Sequence, residues 1–137
     1  MLDAVYEEMP DMILFLGDGV RDLYALRDTF ADIPVRLVAG NCDVGSFEAE
    51  RDFFEVAGKK IMMLHGHQYG VKYGTEKIVN MACCAGADIL LFGHTHRPLH
   101  VDVNGLLVIN PGSLGYDGLY GKLMISGGSV TYEAKCV

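Results

Sequence analysis

Residues 90–100, LLFGHTHRPLH, end an apolar run and then place three of the chain's five histidines within seven positions. Residues 89–92 form a short, continuous apolar segment directly after Asp88, and a segment of this kind predicts a buried strand over residues 88–92. The strand stops at Gly93-His94. The histidines after it are therefore either metal ligands or polar residues that end a strand.

The same arrangement occurs at three other places in the chain. Apolar runs at residues 12–16, 35–39 and 60–64 end in Gly17-Asp18, in Gly40-Asn41-Cys42-Asp43 and in His65-Gly66-His67. In open α/β sheets, ligands bind in the crevice beyond the carboxyl ends of the strands. The pattern therefore predicts a shared rim, formed by Asp18, Asn41, His65, His94 and His96.

The rest of the chain predicts a single α/β domain over residues 1–137. Helical spacing is present at residues 2–9, 20–30 and 76–85. Hairpins are predicted for residues 53–56 with 60–64, 101–103 with 106–109, and 119–126 with 129–135. The Asn104-Gly105 pair is the strongest of the turn signals.

The composition narrows the class of function. The formal net charge is −7, and no cluster of Lys and Arg predicts a nucleic-acid surface. An acidic chain can still bind phosphate esters, because bound cations reverse the local field. The apolar runs are too short to cross a bilayer, no segment resembles a signal peptide, and the four cysteines form no C-x-x-C pair. We expect a cytoplasmic protein with reduced thiols and no membrane partner.

The donor types on the predicted rim suit divalent cations. Carboxylate, amide and neutral imidazole groups bind Mn, Fe, Zn, Co or Ni, whereas soft thiolate sites favour other metals. A carboxylate can bridge two cations, and two cations about 3.5–4 Å apart form a clamp for phosphoryl chemistry. His65, His94 and His96 together therefore favour a metal site over strand-end capping. His100, beyond Pro98, is expected to have no catalytic role.

The motifs GD, GNCD, HGH and GHTH, in that order and followed by NPGS at residues 110–113, resemble the calcineurin-like metallophosphoesterase family. The resemblance is greatest to its small bacterial and archaeal phosphodiesterases of the YfcE type. It implies a four-layer α-β-β-α sandwich around two mixed sheets. It also implies a metal-dependent phosphoesterase, most of all a phosphodiesterase, that hydrolyses a small phosphate ester with a metal-bridging hydroxide.

The resemblance also implies residue roles. Asp18 would bridge two metals, manganese foremost, with nickel, zinc, iron or cobalt as alternatives. Asn41, His65 and His94 would bind the second metal, and His96 the first. Asn41 would also hold phosphoryl oxygens, and Asp43 and His67 would lie behind the ligands or face the substrate. Many relatives carry a histidine, a proton donor, at the position of Cys42.

The chain departs from the family in one respect. The family opens with a strand that ends in D-x-H and completes the first metal site, and residues 1–137 contain no such motif. A misassigned start, a shortened chain and a natural loss all fit this departure, and because every other motif is intact we expect residues 1–137 to be an N-terminally incomplete domain. We expect the fold to lack its first strand, the metal to bind weakly or at one site, turnover to be low, and open sheet edges to favour homo-oligomers.

A second class of function stays open. A non-catalytic scaffold of the same fold would use its surface to bind partners, as a retromer subunit of this fold does. Such scaffolds tend to lose histidine ligands, yet His65, His94 and His96 are all present here. The sequence therefore favours the enzyme.

Overall fold

A five-stranded mixed sheet forms the centre of the computed structural model, which describes all 137 residues. The helices and strands, in chain order, are α1 (Leu2–Glu8), β1 (Ile13–Phe15), α2 (Val20–Thr29), β2 (Val35–Leu37), β3 (Arg51–Val56), β4 (Lys59–Leu64), α3 (Glu76–Cys84), β5 (Ile89–Phe92), β6 (Leu99–Val103), β7 (Leu106–Asn110), α4 (Leu114–Asp117), β8 (Leu119–Ser126) and β9 (Ser129–Cys136). A short 3₁₀ turn, His67–Tyr69, follows β4.

The central sheet has the order β3-β4-β5-β7-β6. Strands β4, β5 and β7 are parallel, and β3 and β6 pair with them antiparallel. All four residues of β5 are buried, because the sheet is covered on both faces. Leu90 and Phe92 pack toward α3, where Ile78 and Ala82 are buried, whereas Ile89 and Leu91 face the opposite layer.

The second β layer consists of two separate pairs. Strands β1 and β2 are parallel and β8 and β9 antiparallel, and no hydrogen-bonded ladder joins the two pairs. Leu14 of β1 and Leu123 of β8 nevertheless pack against the same apolar cluster of the central sheet. On its outer side β1 packs against α1 and α2 through Ile13 and Phe15. The predicted α-β-β-α order is confirmed, and its second β layer is divided into two pairs.

The predicted helices and strands are all present, with small shifts at their ends. Strand β3 begins two residues earlier than predicted, because Arg51 and Asp52 extend the ladder opposite Leu64 and Met63. The short helix α4 and the 3₁₀ turn were not predicted, since both are single turns without a hydrophobic period. None of the helices is long and apolar enough to cross a membrane.

Candidate metal centre

Three predicted ligands meet at one edge of the sheets. Asp18 follows β1, His65 follows β4 and His94 follows β5, and one ligand atom from each lies within 4.8 Å of the others. Because β4 and β5 are parallel neighbours, their carboxyl ends bring His65 and His94 side by side. Asp18 reaches them from the second β layer. The structure therefore assembles residues that are up to 76 positions apart in the chain (94 minus 18).

His65 is held in the tautomer that a metal ligand needs. Its Nδ1 lies 2.7 Å from the carbonyl oxygen of Leu16, which can only accept, so Nδ1 carries the proton and donates it. Nε2 then carries no proton, and its lone pair is available to a metal. It faces Asp18 Oδ2 at 3.3 Å, Asn41 Oδ1 at 3.1 Å and His94 Nδ1 at 3.1 Å.

This convergence fits a divalent cation. The oxygens of Asp18 and Asn41 are acceptors and so is His65 Nε2, so the three groups repel one another unless something positive lies between them. A proton on His65 would also supply this positive charge, but the side chain of His65 is only 2% exposed. Burial lowers the pKa of His65 more than the charge of Asp18 raises it. The neutral imidazole and its oxygen neighbours therefore form an O/N donor set suited to first-row divalent metals.

The pKa of His94 is shifted in the same direction as that of His65. Burial lowers its pKa first, and the neighbouring His65 and the cation Lys72 lower it further. The two imidazoles lie edge to face, with their centroids 5.0 Å apart. Both side chains are therefore neutral at pH 7 and have lone pairs for a metal.

Two glycines allow the close approach of these segments. A Cβ on Gly17 would lie 2.7 Å from Gly40 N and from His65 Nδ1, and a Cβ on Gly40 would overlap Asp18 Oδ1. Each Cβ would also meet backbone, Gly40 N in the first case and Asp18 N at 2.5 Å in the second, and backbone cannot move aside as a flexible side chain can. The Gly17-Asp18 and Gly40-Asn41 steps predicted from the sequence are therefore needed for packing as well as for turning.

Asp43 holds the Asp18 turn from behind. Its Oδ2 accepts the N–H groups of Asp18 and Gly40, each at 2.8 Å, and its Oδ1 accepts those of Gly19 at 2.8 Å and Val20 at 3.0 Å. Burial alone would raise the pKa of Asp43, but the four donors outweigh it and hold that pKa below its usual value. Of the two positions predicted for Asp43, this is the one behind the ligands.

His67 and Cys42 flank the cluster. The ring of His67 lies 5.3 Å from that of His65, and its Nδ1 is buried without a hydrogen-bond partner. That orphaned nitrogen is consistent with a ligand that completes the site. Cys42 is exposed and donates its backbone N–H to Asp18 Oδ1 at 2.8 Å, and the charge of Asp18 raises the pKa of its thiol.

His96 lies outside the cluster of Asp18, His65 and His94. Its ring is stacked at an angle of 38° on Tyr116, with the centroids 4.8 Å apart. His100 is on β6, and its ring lies edge to face with that of Tyr132, with the centroids 4.9 Å apart. The structure therefore brings together four of the five predicted ligands, Asn41 included, and leaves His96 beside them.

No role was predicted from the sequence for two groups that contact the site residues. The carbonyl of Leu16 sets the tautomer of His65, and a backbone group leaves no trace in residue type. Asn110, the first residue of NPGS, is fully buried beside the turn of His94. The sequence offered one signal for Asn110: a polar residue stands directly after the apolar run Leu106–Ile109.

Comparison with known proteins identifies the family of this chain. A family model described as the calcineurin-like phosphoesterase superfamily domain matches residues 1–126. The probable metallophosphoesterase YsnB of Bacillus subtilis is 38% identical over 59% of this chain and 48% of its own length. A Methanocaldococcus jannaschii protein named phosphodiesterase is 34% identical over 81% of this chain and 72% of its own length.

A solved structure has the same fold. The crystal structure of a Vps29 single mutant from Entamoeba histolytica superposes with a TM-score of 0.77 at 24% identity, over 99% of this chain and 87% of that one. This chain spans 48%, 64% and 66% of the length of three curated relatives that it matches. The family match over 126 residues, together with the donor cluster, places the chain in the calcineurin-like phosphoesterase superfamily.

Proposed function

We propose that this chain carries the metal-binding part of a phosphoesterase that hydrolyses a small phosphate ester, a phosphodiester foremost. The observation that carries the proposal is the convergence of Asp18, His65, His94 and Asn41 at one sheet edge. The phosphodiesterase name of the Methanocaldococcus relative supports the ester class. Manganese is the metal we propose, and the donor set also accepts nickel, zinc, iron or cobalt.

A bound divalent cation would polarise a phosphoryl oxygen and lower the pKa of a water molecule. The chain's own residues supply the remaining requirements. Asp18, His65 and His94 would hold the cation, and the exposed amide of Asn41 is in place to donate to a phosphoryl oxygen. His67, with its unpartnered nitrogen, would face the substrate from the other side.

Positive charge near the centre supports an anionic substrate despite the acidic composition. Lys72 and Arg97 form no ion pair, and they line a cavity of about 440 Å³ beside Thr95. Lys72 is close enough to His94 to lower its pKa. A cavity of this size suits a small molecule. The two cations would attract the ester toward the turn that carries His94.

The stoichiometry that we propose is one tightly bound cation per chain. Four donors surround one position, whereas His96, the ligand predicted for the other metal, is stacked on Tyr116 outside that cluster. The resulting site would turn over slowly, because it lacks a second cation to stabilise the leaving oxygen. The four free cysteines suit a reducing compartment, and a cytoplasmic location stays a prediction.

The test compares His94→Asn with His100→Asn in the 137-residue chain. His94 has a φ of 63°, a conformation that asparagine tolerates, so His94→Asn removes the imidazole without breaking the turn. His100 is the matched control, since it lies on β6 away from the cluster. We would measure Mn²⁺ binding by calorimetry and hydrolysis of bis(p-nitrophenyl) phosphate. We expect one equivalent and slow hydrolysis for the wild type and the control, and loss of both in His94→Asn.

Two results would contradict the proposal. Two tightly bound equivalents would rule out the single site, and unchanged binding in His94→Asn would rule out the cluster. A folded, manganese-loaded chain that leaves the diester intact would favour the second function, a partner-binding scaffold. One observation supports that alternative. The large apolar side chains of Val44, Phe47 and Tyr73 are 87%, 106% and 97% exposed, and exposed apolar groups can bind partners.

A further inference from the structure

Asn110 is a buried polar side chain that the donor set does not account for. It ends β7 and is 0% exposed, and His65 is the only other buried polar or charged residue. The residues before it, Val108 and Ile109, are apolar core. An amide placed here must satisfy its hydrogen bonds inside the protein, because burying it unpaired forfeits its bonds to water without replacement. Its partners therefore show what it does.

Both amide hydrogens of Asn110 are directed at the turn after β5. Nδ2 donates to the carbonyl of Gly93 at 2.9 Å and to Thr95 Oγ1 at 3.0 Å. Oδ1 accepts the N–H of Gly112 at 2.9 Å, which fixes the amide from its own loop. Thr95 Oγ1 also accepts the N–H of Arg97 at 3.3 Å. One side chain thereby ties both halves of the turn to β7.

That turn needs an external anchor. His94 and His96 have φ angles of 63° and 56°, in the left-handed region that is strained for an ordinary L-residue. Thr95 lies between them and donates its N–H to the Gly93 carbonyl at 2.7 Å. Two left-handed residues so close together persist only where the surroundings over-determine them. The contacts that do so here are those of Asn110.

The turn in its left-handed form also sets the position of His94. Gly93 donates its N–H to the carbonyl of His65 at 3.1 Å, so the start of the turn is joined to the end of β4. From there, the backbone of His94 directs Nδ1 to within 3.1 Å of His65 Nε2. A turn relaxed to negative φ would direct the imidazole elsewhere.

We propose that Asn110 is a positioning residue for the metal centre: its amide locks the turn of His94 in the strained form in which His94 joins Asp18 and His65. The inference rests on the proposed function, because the direction of His94 matters to affinity only if the cluster binds a cation. It extends that function by giving NPGS a task. Its first residue acts through the turn, where both of its amide hydrogens are bound.

The experiment uses two conservative variants and a matched control. Asn110→Asp keeps the shape but sets an acceptor against the Gly93 carbonyl, and Thr95→Val removes one of the two anchors while Asn110 stays. Thr95→Ser restores the hydroxyl. Asn104→Asp makes the same chemical change in the exposed turn of the same hairpin. Manganese affinity would be measured by calorimetry well below the melting temperature of each metal-free variant.

We expect Asn110→Asp to bind manganese about 10–100-fold more weakly, as for other groups that orient metal ligands. Thr95→Val should show a smaller loss, and Thr95→Ser and Asn104→Asp wild-type affinity. A residue with a structural role alone would lower the melting temperature and leave the affinity of the folded chain unchanged, and that result would overturn the inference. If Asn110→Asp does not fold, wild-type manganese affinity in Thr95→Val would overturn the inference instead.

A wild-type chain that binds no manganese would overturn the proposed function without deciding the inference. The NMR signal of the His94 imidazole in the metal-free chain then decides it. We expect that signal to shift in Asn110→Asp and Thr95→Val and to stay in place in Asn104→Asp. An unmoved His94 signal in both turn variants would overturn the positioning role whatever the metal does.

Discussion

Replacing Asp43 with asparagine tests the claim that one carboxylate organises the Asp18 turn. Each of its oxygens accepts two backbone N–H groups, at 2.8 to 3.0 Å. Asparagine keeps one oxygen and sets an NH₂ group against the other two donors. Each donor left without a partner costs about 1–3 kcal/mol. Because Asp43 is half-buried and water reaches part of the site, we expect a total of about 2–4 kcal/mol.

Urea denaturation of the metal-free chain measures that cost, with a fall in Tm of about 10 °C as its thermal counterpart. The control is Asp102→Asn. Asp102 also accepts a backbone N–H, from Gly105 at 3.0 Å, but it accepts only that one and lies on an exposed hairpin. We expect this control to lie within about 0.5 kcal/mol of the wild type. Equal losses in the two variants would refute the organising role of Asp43.

Three further predictions concern the scaffold. Leu90→Ala empties a fully buried position facing α3 and should cost about 2–5 kcal/mol in urea denaturation; a loss below about 1 kcal/mol would contradict that packing. Glu8 accepts hydrogen bonds from Lys122 Nζ at 2.6 Å and Tyr120 Oη at 3.1 Å, and the bond from Lys122 holds its pKa below the usual value. Its stabilisation is therefore present above the ordinary Glu pKa of about 4.3 and lost as the pH falls through the lowered pKa, so the Tm difference between wild type and Glu8→Gln should shrink on acidification through that range; a difference that stays constant in acid would count against the ion pair. The open edges of β3 and β6 should pair between chains, and light scattering that finds only a monomer of 15.0 kDa would argue against it.

The donor types and their common edge could be predicted from the sequence. An apolar run that ends in a glycine or histidine step reads as a buried parallel strand, and parallel strands bring their carboxyl ends to one edge. That reasoning predicted a shared rim, and the structure brings Asp18, Asn41, His65 and His94 together there. The hairpin turn at Asn104-Gly105 could also be predicted, because the turn requires positive φ and this residue pair favours it. Both residues adopt positive φ in the structure.

The direction of each side chain was decided by contacts far apart in the chain. His94 and His96 come from one four-residue motif, yet the first joins the cluster and the second stacks on Tyr116. That difference depends on the left-handed turn between them and on the remote anchor Asn110, neither of which residue type specifies.

The sequence by itself determined which chemistry the chain can offer, because ligand type and strand-end position are local properties of the amino acids. The tertiary structure alone decided which donors meet. The bond from His65 to Leu16 spans 49 positions and the bonds from Asp43 to the Asp18 turn span up to 25. The bond from His65 to Leu16 exists only after the two β layers pack together, and the bonds from Asp43 exist only after β1 and β2 pair in parallel.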